Sequence, residues 1–379
     1  MRSLDAARET CEKYHPGLCQ ALAGVPLAER ESVGGPVIEM FRKHDGVGLL
    51  VPAEFNGSQA GALSAVRVMR GLSSYSPSLG AAVCMHHFTA AMLYSLAAKT
   101  DRLSPAQVDM LNKVVTDGLL MASGWSEGRT NQNILLPSVT AVRDGEDWVL
   151  NGSKKPCSLS GSMDLLTASV ALTDETGQTS LALALVPASS AGISIKPFWG
   201  TPVLAGAESD EIRLDAVRVP DELMIRTRPD DPHRLDDLQT AGFVWFVMLI
   251  TSVYTGAASA LAEQLLTKAK GSSTDRAAVL VGIESAIAQL EGVARRVDDG
   301  LSGDDAVAAV LVCRYAIQTA LAAATDLGVE LLGGTAFMGS PDIGYLSSAL
   351  RALAFHPPSR TSAAEPLLDY FAGGPLQLS

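Results

Sequence analysis

The spacing of apolar residues changes twice along this chain, and that change restricts the folds it can adopt. Up to about residue 119 the apolar residues recur at helical spacing. From about 121 to 226, short β-prone runs such as 138–143 and 165–172 alternate with turn dipeptides. Helical spacing returns after a polar stretch at 227–236. This order predicts an N-terminal helical domain (1–120), a middle β domain (121–230) and a C-terminal helical bundle (231–379).

The composition favours a globular protein that binds small molecules. A net charge of -12 opposes binding to a phosphate backbone, so we expect no nucleic-acid partner. The five cysteines are scattered without metal-ligand or disulfide-framework spacing, so we expect no metal site and a reducing, cytoplasmic location. Charged residues near the N-terminus, Arg2, Asp5 and Arg8, stand where a signal peptide has its apolar core.

One apolar stretch, residues 241–262, carries no charged residue, as a membrane span would. It also holds hydroxyl side chains at helical spacing, among them Thr251, Thr255 and Ser259, and no second span accompanies it. A helix buried at the centre of a bundle explains this pattern better. We therefore expect no membrane partner.

Several short segments resemble those of acyl-CoA dehydrogenases, in the same order and over nearly the whole chain. They are GLLVPAEFNG at 48–57, SPSLG at 76–80, ASGWSEG at 122–128, WVLNGSK at 148–154, LDAVRVP at 214–220 and ELLGGTAF at 330–337. The resemblance implies that family's fold. This is an α+β, mainly α structure with an N-terminal helical domain, a middle antiparallel β domain and a C-terminal four-helix bundle.

The resemblance also implies FAD as cofactor and names the residues beside it. Ser126 lies 26 positions before Gly152 (152 minus 126), the interval expected between the family's flavin-binding Thr and its hairpin Gly. Hydroxyl and backbone N–H groups there would meet the polar edge of the flavin ring. The Gly-Gly turn would let the backbone approach the nucleotide part. The cofactor-binding residues implied in this way are Trp125, Ser126, Cys157, Ser158, Glu330, Gly333 and Gly334.

The chain departs from the family at the catalytic base. Most members carry a Glu about two dozen residues beyond the Gly-Gly turn, whereas His356 stands 23 positions after Gly333 (356 minus 333). The position of a second family solution falls at Phe246, with no acid nearby. A neutral His can accept a proton near pH 7 because its ordinary pKa is about 6.5. His356 is therefore the predicted catalytic residue.

Two further departures widen the cofactor and substrate predictions. The family's Arg for the flavin diphosphate falls in a segment where only Arg276 is available, so FMN is an alternative to FAD. The missing Glu and the His before Pro also resemble flavin monooxygenases similar to dibenzothiophene monooxygenase. In those enzymes an N-terminal His faces the flavin. The resemblance thus implies His86, His87 and Gln132 beside the substrate.

Because the near full-length match is to dehydrogenases, we expect a flavin-dependent α,β-dehydrogenation of an acyl thioester, bound to CoA or to a carrier protein. Two alternatives stay open. One is a reduced-flavin-dependent monooxygenase acting on another small molecule. The other is a catalytically silent subunit of a heteromeric dehydrogenase, which would tolerate loss of the base. The resemblance implies a homodimer or homotetramer, or a heteromeric assembly.

Overall fold

The computed structural model describes residues 1–99, 102–128, 137–173, 177, 179–226 and 237–378. The helices are α1 (Arg2–Tyr14), α2 (Leu18–Ala23), α3 (Leu27–Arg30), α4 (Val37–Lys43), α5 (Ala62–Ser73), α6 (Pro77–Ala97), α7 (Pro105–Thr116), α8 (Asp237–Lys268), α9 (Ser273–Asp298), α10 (Gly303–Leu332), α11 (Gly334–Gly339), α12 (Pro341–Leu350) and α13 (Arg360–Phe371). The strands are β1 (Met121–Gly124), β2 (Thr140–Asp144), β3 (Asp147–Cys157), β4 (Leu165–Thr173), β5 (Thr179–Pro187), β6 (Ile193–Lys196), β7 (Asp210–Pro220) and β8 (Met224–Arg226). Five 3-10 turns join them at Gly46–Gly48, Ala53–Phe55, Ala205–Ala207, Asp221–Leu223 and Arg351–Phe355.

Helices α5, α6 and α8 pack together at the centre of the helical part. α6 is apolar on nearly all sides, and most of its residues are buried, as expected for a helix surrounded by others. Its first turn is fixed by Ser76, whose Oγ accepts a hydrogen bond from the Leu79 N–H (3.1 Å), with Pro77 at the first helical position.

Two glycines let these three helices approach at backbone contact distance. A Cβ placed on Gly256 of α8 would lie 2.5 Å from the carbonyl oxygen of Arg70 on α5. A Cβ on Gly80 of α6 would lie 2.0 Å from Ser73 Oγ. No side chain fits at either position, so the spacing of α5, α6 and α8 depends on these two residues.

The strands form a mixed sheet in the order β6-β7-β3-β2-β4-β5-β8, with β1 paired to β4. We expected an antiparallel domain, and β3 with β7 and β4 with β5 are antiparallel. However, β1 and β2 both run parallel to β4, one after the other along the same side, with Met121 opposite Leu165 and Thr140 opposite Ala171. Hairpin signals reveal pairing between neighbours in sequence, but not this longer-range parallel pairing.

The sheet is joined to the helices by buried polar contacts. His86 of α6 accepts a hydrogen bond from the Met121 N–H at Nδ1 (3.1 Å), while its Nε2 bonds the Val47 carbonyl (2.9 Å). Arg42 of α4 donates to Asp164 Oδ2 (2.6 Å) and to the Ser162 carbonyl (2.9 Å), just before β4. The start of β1 and the start of β4 are therefore both fixed against the N-terminal helices.

By length and composition alone, helices α6, α8, α9 and α10 could each cross a membrane. In α6 and α8, 83% of the most apolar window is buried inside the protein, which agrees with the buried helix expected for residues 241–262. The buried share of the most apolar window is only 33% in α9 and 50% in α10. Within the described part of the chain these two helices therefore keep apolar outer faces.

Three histidines of the N-terminal helices are fully buried, and they make stability depend on pH. Burial lowers the pKa of His15 and of His86 to about 4 and that of His87 well below its usual value. In the unfolded chain each imidazole binds a proton below pH about 6.5. The unfolded state therefore takes up protons that the native state does not, and stability falls as the pH drops below that value.

We predict that the free energy of unfolding falls between pH 6.5 and pH 5 by up to about 1.4 kcal/mol per pH unit for each such histidine. Urea unfolding at pH 7.5, 6.0 and 5.5 measures this. His87→Leu removes one of the groups, and both ring nitrogens of His87 lack a hydrogen-bond partner, so its pH slope should be shallower than that of the wild type. His44→Gln, at a surface hydrogen bond to Pro16, is the control. Equal slopes for His87→Leu and wild type would contradict the explanation.

Candidate functional site

The two serines predicted at the flavin lie on neighbouring segments of the β domain. Ser126 follows β1 directly, and its carbonyl accepts a hydrogen bond from the Lys155 N–H on β3 (2.9 Å). Ser158, three residues after Lys155, directly follows the end of β3. There Cys157 Sγ donates to the Ser123 carbonyl (3.4 Å). Both serines are half-buried. The hydrogen bond between Lys155 and Ser126 therefore brings two partly accessible hydroxyl groups, those of Ser126 and Ser158, to the same end of strands β1 and β3.

A buried ion pair holds these two segments together. Lys154 Nζ lies 2.6 Å from Glu127 Oε1, with 0% and 1% of the two side chains exposed. Lys154 also donates to Ser169 Oγ (2.9 Å), and Glu127 accepts the Ser138 N–H (2.8 Å). Burial raises the pKa of Glu127, but hydrogen bonds from Lys154 and Ser138 outweigh it and keep that pKa below its usual range. Burial lowers the pKa of Lys154 to about 8, so the pair is charged at neutral pH and fixes the loop that carries Ser126 to the strand that leads to Ser158.

Ser158 is further positioned by the segment before β7. Its Oγ lies 2.9 Å from Ser209 Oγ, and the Ser160 N–H donates to the carbonyl of Glu208 (3.2 Å). Glu208 has a left-handed backbone (φ 53°), and burial raises the pKa of its carboxyl group. The hydroxyl of Ser158 therefore already has one hydrogen-bond partner within the protein, the hydroxyl of Ser209.

An aromatic wall lies on the helical side. The rings of Phe88 on α6 and Phe246 on α8 are 5.4 Å apart, and Phe246 lies 6.0 Å from the ring of His356. His356 follows the 3-10 turn Arg351–Phe355, and its Nε2 is 2.7 Å from the hydroxyl of Tyr254 on α8. Because α6 also binds β1 through His86, it links this wall to the sheet.

The turn that carries His356 is attached to Arg314 of α10. The guanidinium donates to the carbonyls of Pro357 (2.9 Å) and Leu353 (3.3 Å) and to that of His356 itself. Burial, together with the Arg314 charge, lowers the pKa of His356 to about 3. The imidazole is therefore neutral at neutral pH.

The other predicted substrate residues have different surroundings. His86 and His87 are fully buried. Both ring nitrogens of His86 are bonded to backbone groups, which leaves none for a substrate. The His87 ring packs edge-on against Phe41 at 5.6 Å. Gln132 lies outside the described residues.

The residues predicted near the nucleotide end lie at the ends of long helices. Arg276, near the start of α9, donates to the carbonyls of Ala269 (3.0 Å) and Gly271 (2.6 Å) at the end of α8. Glu330 is exposed at the end of α10. A Cβ on Gly333 or Gly334 would meet nothing within 4 Å, so the turn is open.

Residues 122–217 match a family model described as acyl-CoA dehydrogenase, middle domain. Over its whole length the chain is 59% identical, across 381 residues, to isobutylamine N-hydroxylase of Streptomyces viridifaciens, and the match covers 100% of each chain. The chain belongs to the acyl-CoA dehydrogenase superfamily. Dibenzothiophene monooxygenase of Rhodococcus erythropolis is 27% identical over 229 residues, which is 59% of this chain and 53% of that protein.

Solved structures of the superfamily fold match at low sequence identity. The nitrososynthase from Micromonospora carbonacea var. africana has a TM-score of 0.82 at 18% identity and covers 97% of this chain and 96% of its own. XiaF from Streptomyces sp., solved with FADH2 and glycerol, gives 0.79 at 18%, with 99% and 97% covered. FMN-bound TdsC from Paenibacillus sp. A11-2 gives 0.78 at 18%, with 100% and 99% covered. The predicted family and fold are confirmed, and so is a flavin, FAD or FMN, as the superfamily's cofactor. The chain is an oxidising enzyme of this superfamily.

The surroundings of His356 fit a planar ring that carries a phosphate chain. Phe355 is 83% exposed immediately before His356. Beside this turn lies a cavity of about 260 Å³, lined among others by Arg351, Arg360 and Thr325. Thr325 Oγ1 is buried without a hydrogen-bond partner. Arg351 also pairs with Asp326, and Arg360 donates to Thr319, so what this cavity offers a phosphate is a partly neutralised cationic lining and one unpaired hydroxyl.

Sequence reasoning missed Tyr254, Arg314 and Ser209, which contact the predicted residues directly. One signal for Arg314 was present, because it is the one charged residue between Asp305 and Asp326 on an otherwise apolar helix. A lone Arg on a buried face calls for a specific partner. Tyr254 and Ser209 carry no comparable signal.

Replacing Lys154 by Met leaves the Glu127 carboxylate buried without its cation. We expect the free energy of unfolding to fall by about 3–5 kcal/mol, as for other broken buried pairs. The double variant Lys154→Met/Glu127→Gln removes the charge as well, so it should recover at least half of that loss. Urea titration measures both variants. A single variant as stable as wild type would show that the pair does not hold the two segments.

Proposed function

We propose that the protein is a reduced-flavin-dependent monooxygenase that hydroxylates the nitrogen of a small aliphatic primary amine. The observation that carries this proposal is the 59% identity over the full length to isobutylamine N-hydroxylase. The site supports it independently, because the position of the dehydrogenase base holds a neutral His next to an apolar wall.

We assign the flavin to the space between the β-domain hydroxyls and the turn of His356. Trp125, Ser126 and Ser158 would contact the ring, and Ser126 and Ser158 would hydrogen-bond its polar edge. Cys157, fully buried and bonded to the Ser123 carbonyl, would support this surface from behind. The predicted nucleotide-end residues Arg276, Glu330, Gly333 and Gly334 stay part of the proposal. Glu330 and the Gly333-Gly334 turn lie open at a helix end, whereas the half-buried Arg276 side chain donates to carbonyls at the end of α8. The open turn suits FAD shared between protomers, whereas FMN would not need it.

A bound reduced flavin supplies, with dioxygen, the electrons and the oxygen atom for the reaction R–NH2 + O2 + 2 e⁻ + 2 H⁺ → R–NHOH + H2O. The protein must present the amine nitrogen with its lone pair free. Phe88 and Phe246 offer the alkyl chain an apolar surface. Arg314 is the charged group that acts on His356, so an ammonium ion would be repelled here. The substrate therefore binds as the uncharged amine.

His356 is the residue we assign to proton transfer. Its Nε2 is held by Tyr254, whose pKa is raised by burial so that its hydroxyl keeps the proton. Loss of the Nδ1 proton alone would leave an imidazolate, so the ring donates a hydrogen bond from Nδ1 and passes that proton on only as the Tyr254 proton moves to Nε2 in the same step. The predicted substrate residues have indirect roles here: His86 holds α6 to β1, and His87 packs behind Phe41. Gln132 stays a proposed substrate contact.

Acyl-thioester desaturation, the first expectation, has weaker support. Abstraction of an α-proton needs a base whose pKa lies near the working pH, and the pKa of His356 is about 3. The full-length relationship to a named N-hydroxylase also weighs against a silent subunit.

The proposal includes a cytoplasmic homo-oligomer. Apolar side chains lie exposed on the outer helices, including Val281 on α9 (64%), Val312 on α10 (44%) and Met338 on α11 (82%). Exposed apolar positions spread over three neighbouring helices suit a protein interface. A second copy of the chain is the partner we assign to them.

The function is tested with purified protein, a flavin reductase, NADH, FAD or FMN, air and isobutylamine. We expect the hydroxylamine, detected by mass spectrometry, and no anaerobic bleaching of flavin by acyl-CoA thioesters. Ser58→Ala, in a loop of the N-terminal domain, is a control variant that should keep the turnover of the wild type. Bleaching by a thioester without oxygen, with no amine product, would overturn the proposal in favour of desaturation.

A further inference from the structure

Arg314 is a buried cation of an unusual kind. It is 0% exposed, and among the described residues no carboxylate lies within ion-pair distance of it. Its two Nη atoms donate only to backbone carbonyls, and its Nε has no partner. Burying a charge without a counter-ion is costly, so the residue needs a reason beyond stability.

The partners of Arg314 all belong to the turn of His356. The accepting carbonyls are those of Leu353, His356 and Pro357. Tyr315, the next residue on α10, donates from its hydroxyl to the Pro358 carbonyl (2.9 Å). The backbone on both sides of His356 is therefore fixed to α10, with the guanidinium beside the imidazole.

The groups facing the imidazole determine which tautomer it adopts. From α8 come the Tyr254 hydroxyl, at 2.7 Å from Nε2, and the uncharged ring of Phe246. From α10 comes the positive charge of Arg314, which opposes a second ring proton. A neutral imidazole that accepts from Tyr254 at Nε2 carries its proton on Nδ1.

We infer that Arg314 is a positioning residue: with Tyr254 it holds His356 as the neutral Nδ1–H tautomer, ready to donate a proton toward the substrate side of the site. The same charge excludes the ammonium form of an amine. Only the kinetic consequence rests on the proposed function, because the tautomer is a property of the protein alone.

The test is histidine NMR on the full-length protein labelled with 13C and 15N in its histidines, with the His356 signal assigned from His356→Gln. Wild-type His356 should show the neutral Nδ1–H pattern from pH 8 to pH 5. In Arg314→Gln the midpoint of the His356 titration should rise by at least about one pH unit toward 6.5. Arg314→Lys keeps the positive charge but loses the guanidinium N–H bonds to the carbonyls, so the midpoint of the His356 titration should stay low in this variant. Titration of wild-type His356 near pH 6.5, or an unshifted midpoint in Arg314→Gln, would overturn the inference.

Tyr254→Phe provides a second test if Arg314→Gln fails to fold. Without the donor at Nε2, the His356 signal should change to the Nε2–H form or to a mixture of the two. An unchanged Nδ1–H signal in Tyr254→Phe would overturn the inference. The pH dependence of kcat/KM for the amine adds a kinetic reading: because only the uncharged amine binds, wild-type kcat/KM should fall about tenfold per pH unit below the amine's own pKa, and in Arg314→Gln this fall should become steeper between pH 7 and 5.5. If the NMR results hold but no amine is hydroxylated, the proposed function fails and the tautomer inference stands.

Discussion

Lys154 and Arg314 are both inaccessible to solvent, and each holds one half of the candidate site. Lys154 has a carboxylate partner, so its charge is neutralised and the result is a rigid connection between the segments of Ser126 and Ser158. Arg314 has carbonyl partners and the ring of Tyr315 but no carboxylate among the described residues, so its positive charge acts on the neighbouring ring of His356. One cation therefore fixes geometry, while the other fixes geometry and protonation together. The rest of the site depends on both.

The same scaffold carries different chemistry when the group opposite the flavin changes. A carboxylate at that position is a base that can remove a proton from carbon. Here the position holds an imidazole that burial and a nearby guanidinium keep uncharged, beside aromatic side chains and the hydroxyl of Tyr254. Such a ring stays neutral only if it takes a proton from Tyr254 at Nε2 as it passes one on from Nδ1. The proposed transfer of oxygen to an uncharged amine fits this arrangement better than desaturation of a thioester, which needs a base.

Much of the architecture could be predicted from the sequence, because it depends on local pattern. The change from helical to β spacing and back, and the hairpin around Asp144, follow from residues close together in the chain. The parallel pairing of β1 and β2 with β4 could not be predicted, because segments far apart in sequence meet there. In the site, Ser126 and Ser158 were identified through motif spacing, whereas Tyr254 and Arg314 meet His356 from helices 102 and 42 residues away. His86 and His87 were predicted at the substrate, yet both are fully buried: backbone groups occupy both ring nitrogens of His86, and the His87 ring packs against Phe41 without a hydrogen-bond partner.

The account is tested most directly by a crystal structure of the protein with oxidised flavin bound. We expect the ring to lie with its polar edge at the hydroxyls of Ser126 and Ser158 and with His356 on its opposite side, still bonded to Tyr254 and Arg314. A flavin bound elsewhere, or a space between the sheet and the His356 turn filled by side chains of the protein, would contradict it.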